Sequence, residues 1–182
     1  MLLGVGLLVV VAALLSYNRF VRQRQLVDNS WSNVDTELKR RYDLIPNLVA
    51  TVEGYAAHER TTLEAVVRAR SDALAADGDA AAQAPEENAL VDALRQLLAL
   101  REAYPDLKAS TQFLDLQRQL VSTEDRIQAA RRFYNANVRD YNTRVETFPS
   151  TLVAALGHFV QRDYFEIGTA IREADAPEVE LT

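Results

Sequence analysis

Apolar positions along this chain recur at helical rather than strand spacing. From Trp31 they fall on two lines of seven-residue period: Trp31, Leu38, Ile45 and Val52 on one, Val34, Arg41, Leu48 and Tyr55 on the other. A seam of this kind marks one face of a long helix, interrupted here by a single charge. It is expected to carry on, with a bend, through Leu63, Val66 and Val67. The stretch "AADGDAAAQAPEE", Ala75 to Glu87, then contains Asp-Gly and Ala-Pro and lacks an apolar period, which predicts an exposed loop. A second seam, Leu90, Leu94, Leu97, Arg101 and Tyr104, stops before Pro105, because proline disfavours helix at the residue preceding it. The third is the longest, with Phe113, Leu120, Ile127, Tyr134, Tyr141 and Phe148 seven apart and Leu116, Thr123, Ala130, Asn137 and Arg144 between them. Leu152, Val153, Leu156 and Phe159 predict a short closing helix. No segment alternates as a strand does. The expected fold is therefore all-α: an N-terminal single membrane helix followed by an antiparallel helical bundle with three long helices and a short closing helix.

The membrane helix is read from "MLLGVGLLVVVAALLSY", which is apolar from Leu2 to Leu15 and uncharged until Arg19. Its ten Leu and Val residues sum to roughly −4 kcal/mol of insertion free energy. The run is shorter than the about 20 residues that a bilayer core requires. Extending it through Tyr17, Phe20 and Val21, with Arg19 snorkelling to the interface and Tyr17 in the aromatic belt, repairs the mismatch. A cleaved signal peptide is the competing reading, but no Lys or Arg precedes the run, whereas Arg19, Arg22 and Arg24 follow it. Under the positive-inside rule those arginines hold the following segment in the cytoplasm, with the N-terminus outside and a single pass through the membrane.

The stretch "LKRRYDLIPNLV", Leu38 to Val49, sets three basic residues and a proline within one helical face. Pro46 removes one intrahelical hydrogen bond and is expected to bend the helix, while Lys39, Arg40 and Asp43 fall on its solvated side. Arg41 alone lies on the seam. It either pairs with a carboxylate of a neighbouring helix and sets register, or belongs to a docking site opened by the bend. A similar choice applies to "AARRFYNANVRDYN", Ala129 to Asn142. Tyr134 and Tyr141 lie on the seam there, and the polar residues form either a solvated face or a network with "KRRYD" that presents a surface to a partner.

Composition narrows the function classes. A net charge of −6 opposes general nucleic-acid binding, and the absence of cysteine removes thiol chemistry and thiolate metal sites. His58 and His158 belong to no ligand cluster, no serine sits in a nucleophile elbow, and no glycine spacing forms a phosphate loop. No catalytic, metal or cofactor-binding residue is assigned, and no small-molecule substrate is expected.

"VDTELKRRYDLIPNLV", "VEGYAAHE", "AYPDLKAS", "FLDLQRQLVSTEDRIQAARRFYNANVRDYNTRVETFPS" and "DYFEI" together resemble the LemA family of bacterial membrane proteins in order and spacing, from Tyr17 to about Ile167. The resemblance implies an N-terminal anchor, a helical-bundle domain and no established enzymatic activity. Some relatives belong to magnetosome membranes, which points to membrane-organising work. On this basis residues 1–21 are expected to form the anchor, 22–167 the bundle, and 168–182 an acidic tail, mobile or docked along the bundle. The expected function is a non-enzymatic scaffold that binds the bilayer through its first helix and binds protein partners or its own copies. An adaptor for a membrane protease or envelope-stress system is the alternative. The candidate interaction or register-setting residues are Arg40, Arg41, Asp43, Pro46, Tyr55, Asn137, Tyr141 and Arg144, with Tyr17, Arg19, Arg22 and Arg24 flanking the membrane.

Overall fold

The computed structural model of the chain describes residues 2–76 and 78–168. Among these residues every regular element is a helix. They run α1 (Leu2–Glu53), α2 (Arg60–Ala75), α3 (Ala80–Ala99), a 3-10 turn (Leu100–Glu102), α4 (Pro105–Ala109), α5 (Thr111–Glu146) and α6 (Ser150–Leu156). The all-α expectation holds. The apolar N-terminal run continues without a break into the amphipathic seam as one 52-residue helix.

The described residues divide into two compact units, residues 2–34 with 130–164 and residues 35–129 with 165–168. In the first, the opening part of α1 and the closing part of α5 pair antiparallel: Phe20 meets Tyr141 edge-on at 6.2 Å between centroids, and Trp31 meets Tyr134 at 5.2 Å. Phe20, Val27, Val34, Tyr134, Val138, Tyr141 and Phe159 form its buried interior. The side chain of Asn142 bonds both ways to Arg162, accepting from its N–H at 2.9 Å and donating to its carbonyl at 2.8 Å. Tyr134 donates to the Asp163 carbonyl at 2.9 Å. These bonds fix the chain that returns after α6. The end of α6 is a Schellman turn: the Phe159 N–H reaches back to the Ala154 carbonyl at 2.9 Å, and His158 takes the left-handed conformation, φ 53°, that glycine usually occupies. Glycine stands one position earlier, where a Cβ on Gly157 would lie 2.6 Å from the Phe159 ring.

In the second unit, α2 and α3 form a helical hairpin. Asp79 caps α3 by accepting the Ala82 N–H at 3.0 Å, so the helix begins at Ala80 and runs through Pro85. This corrects the expected loop from Ala75 to Glu87. The segment lacks an apolar period because two of its inward positions are the polar Gln83 and Glu87, both buried. The first seam also ends sooner than expected: α1 stops at Glu53, and Leu63 and Val66 belong to the separate α2. On the third seam Phe148 lies beyond α5 and is 75% exposed, and Phe159 lies beyond α6. At the end of the unit, Phe165 and Ile167 are buried, and the Asn88 side chain accepts the Gly168 N–H at 2.8 Å. The remainder of the acidic tail lies outside the described residues.

Pro46 does not end α1, and the missing N–H has a visible consequence. The Tyr42 carbonyl, four residues earlier, has no helical donor from Pro46. Arg70 of α2 supplies one instead, its Nε donating to the Tyr42 carbonyl oxygen at 2.8 Å. Arg70→Ala is therefore expected to cost about 1–2 kcal/mol in the native background. The loss should shrink in a Pro46→Ala background, where the alanine N–H restores the helical bond. A double-mutant cycle by chemical denaturation measures this, and additive losses would show that the two residues are uncoupled.

A buried charge cluster as the candidate functional site

Arg41 is fully buried on the seam of α1, with two carboxylates around it. Its Nη1 donates to Glu124 Oε2 of α5 at 3.1 Å, and its Nη2 donates to Glu87 Oε2 of α3. Both acids are withdrawn from solvent as well. One guanidinium thus faces two glutamates, and neutral donors satisfy the remaining carboxylate oxygens. The Tyr42 hydroxyl donates to Glu87 Oε1, the Gln83 amide lies 3.0 Å from that same oxygen, and Gln128 Nε2 donates to Glu124 Oε1 at 2.6 Å. The Gln83 amide also stands 3.0 Å from the Tyr42 hydroxyl and 3.0 Å from the Ala73 carbonyl of α2. Its two hydrogens are shared among three acceptors, so the amide ties α1, α2 and α3 together. Burial, and next the charge of Glu87, push the Tyr42 hydroxyl well above its ordinary range, which keeps it a donor. Among the described residues, no partner lies within hydrogen-bond reach of the buried Arg41 Nε and Gln128 Oε1.

Arg41 is at the centre of this cluster, but the other sequence-predicted residues do not gather there. Arg40 and Asp43 are exposed, and Arg40 faces Glu37 at 3.6 Å. Pro46 is exposed, and Tyr55, past the end of α1, borders a shallow groove with Asn47, Thr51 and Gln112. Tyr141 and Arg144 belong to the first unit, where Arg144 donates to Gln23 and lies 6.0 Å over the Phe20 ring. Burial, with the neighbouring Arg19 charge, pushes the Arg144 guanidinium down. Asn137 is half-buried, and among the described residues its Nδ2 has no hydrogen-bond partner. Of the membrane-flanking residues, Arg19 and Arg22 are exposed, Tyr17 packs edge-on to Phe159 at 5.4 Å, and Arg24 lies 5.5 Å over that ring.

Glu87, Glu124, Tyr42, Gln83 and Gln128 escape the reading of the sequence, although a signal for most of them exists there. Extending the Leu90, Leu94, Leu97 seam backward by seven residues lands on Gln83 and Glu87. A flanking line Gln117, Glu124, Arg131, Val138 runs beside the seam of α5.

An all-α chain whose long first helix begins with an exposed apolar run and continues to a buried ion cluster defines a class of helical protein with one candidate membrane helix. Within that class the chain belongs to the LemA family, whose model matches residues 30–181. It is 30% identical over 138 residues to Protein LemA of Metamycoplasma hominis, a match covering 75% of this chain and 63% of that protein. It is 26% identical over 182 residues to Magnetosome protein MamQ 2 of Paramagnetospirillum magneticum, covering 86% and 67% respectively. Magnetosome protein MamQ of Magnetospirillum gryphiswaldense is 25% identical over 194 residues, covering 91% and 71%. The chain thus spans less than two thirds of the mycoplasma protein's length.

Removing Arg41 leaves two carboxylates buried against each other. Arg41→Ala is expected to cost about 3–5 kcal/mol, whereas Arg40→Ala should stay within about 0.5 kcal/mol. Denaturant midpoints compare them, and equal small losses would refute the buried arrangement. The raised Tyr42 value sets a pH dependence. Its stabilisation is complete below the unfolded tyrosine value of about 10 and is lost as pH rises from there toward the higher folded value. Tyr42→Phe should lower stability near neutrality and flatten the alkaline limb of a plot of Tm against pH. An unchanged limb would place the alkaline loss on other groups.

Proposed function

We propose that this protein is a non-enzymatic, membrane-anchored helical scaffold that works at the cytoplasmic face of a bacterial membrane by binding its own copies. The observation that carries this reading is the exposure pattern of α1. Leu3, Leu7, Leu8, Val9, Leu14 and Leu15 are each at least 60% exposed, while the same helix is anchored further along by the buried Arg41. A continuous exposed run of Leu and Val is unfavourable in water and is relieved by entering another apolar phase. By length and composition α1 is fit to cross a bilayer. Arg19, Arg22 and Arg24 favour the cytoplasmic side for the remainder of the chain. The magnetosome names of the MamQ relatives support a role tied to a membrane compartment, with this chain in the same family.

Light scattering on the detergent-extracted full-length protein, with the detergent mass subtracted, tests self-assembly. A defined oligomer is expected. A monomer would transfer the function to heterologous partners, as an adaptor does. Deleting residues 1–17 should yield a water-soluble protein that keeps its helical circular dichroism, because the described side chains of that run are almost all exposed. Loss of helix beyond the deleted residues would mean that the run belongs to the core.

A further inference from the structure

The segment from Thr147 to Gln161 contains no Asp, Glu, Lys or Arg. Within it, α6 is built inside out. Its buried residue is the small Ala154, while Leu152 and Leu156 face solvent at 58% and 84% exposure. Phe148 before the helix and Val160 after it are also exposed, at 75% and 71%. A surface helix of a water-soluble protein turns its large apolar residues inward and its polar residues outward. Four large apolar side chains shown to solvent on one charge-free segment therefore require another apolar phase.

The position of that segment identifies the phase. Phe159 closes the Schellman turn of α6 and stacks on Phe20 at 4.8 Å, with Tyr17 edge-on to it at 5.4 Å. These are the residues of α1 at which the apolar run gives way to Arg19 and Arg22, where a spanning helix meets the headgroups. Gly157 permits the close seating, since a Cβ there would collide with the Phe159 ring. Arg24 over the same ring and the exposed Arg19 and Arg22 bring positive charge to that level.

We infer that the exposed Leu152 and Leu156 of α6, with the exposed Phe148 and Val160 that flank the helix, form a second membrane contact that lies in the interface of an anionic bilayer beside the emerging anchor. Lying in the plane of the interface, it orients the anchor's cytoplasmic end. The inference rests on the proposed anchoring of α1. Exposed Leu152 and Leu156 can be replaced without entering the core, and the chain has no native cysteine to compete for a label.

Leu152→Cys, Leu156→Cys and a reference Val9→Cys, each carrying a nitrobenzoxadiazole label, would be reconstituted as full-length protein in phosphatidylcholine–phosphatidylglycerol vesicles. Quenching by iodide from water is compared with quenching by lipids spin-labelled at shallow and deep acyl positions. The expected result is a blue-shifted label at 152 and 156, shielded from iodide and quenched by shallow-labelled lipid, with the label at 9 quenched by the deep one. A deep label at 9 with water-accessible labels at 152 and 156 overturns the α6 contact alone. Labels at 152 and 156 shielded from iodide but untouched by lipid quenchers mean that a second protein copy covers the face, which also overturns it. A water-accessible label at 9 overturns the anchor reading and this inference together.

Discussion

A guanidinium taken out of water forfeits hydration worth several kcal/mol, and only fixed acceptors of opposite charge can replace it. That constraint on Arg41 organises the second unit. Its two nitrogens demand Glu87 from α3 and Glu124 from α5, and those acids in turn require the Tyr42 hydroxyl and the Gln83 and Gln128 amides. A one-residue slip of α1 would carry Arg41 away from Glu87 and Glu124 and strand both acids. An apolar seam of Leu, Ile and Val tolerates such slips far better, because any aliphatic face buries roughly as well as another. We propose that the cluster specifies register more than it adds net stability.

The same helix carries a proline that its register must accommodate. Pro46 lies one turn beyond Tyr42, whose hydroxyl serves Glu87 and whose carbonyl is left open by the missing N–H. Arg70 closes that carbonyl, so the defect becomes an attachment point for α2. Tyr42 thus binds neighbours through both its side chain and its backbone. A break in local helix chemistry has been converted into a tertiary contact.

The all-α class and most of α5 are legible in the sequence because heptad periodicity survives wherever the inward residues are apolar, while the family is legible only in the order and spacing of particular motifs. Legibility ends where the inward residues are polar. Gln83 and Glu87 look like loop residues beside Asp-Gly and Ala-Pro, and only the buried charge on α1 explains why they point inward. Arg41 stands out as the seam's exception, but its partners cannot be chosen among 26 acidic residues without the third dimension. The end of α1 at Glu53 is equally hidden, since Leu63 and Val66 prolong the apolar pattern on a separate helix. Tyr55, Asn137 and Arg144 share seam positions with Arg41 yet sit in different surroundings, because spacing reports a face and not the residues opposite it.

The exposed apolar residues answer to a different rule from the core. In water, Leu156 at 84% exposure and Leu3 at 92% would each be costly, and composition alone does not separate them from Leu48 or Leu97, which are fully buried. The difference lies in the residues around them. Leu48 and Leu97 lie on helices studded with charge, where the polar face meets solvent and the apolar face must turn inward. Around Leu3 and around Leu156 the chain has no charge to offer water on any face, so no rotation of the helix could hydrate it favourably. Both stretches are therefore written for a solvent other than water, and the aromatic stack of Phe159 on Phe20 brings the second of them to the border of the first.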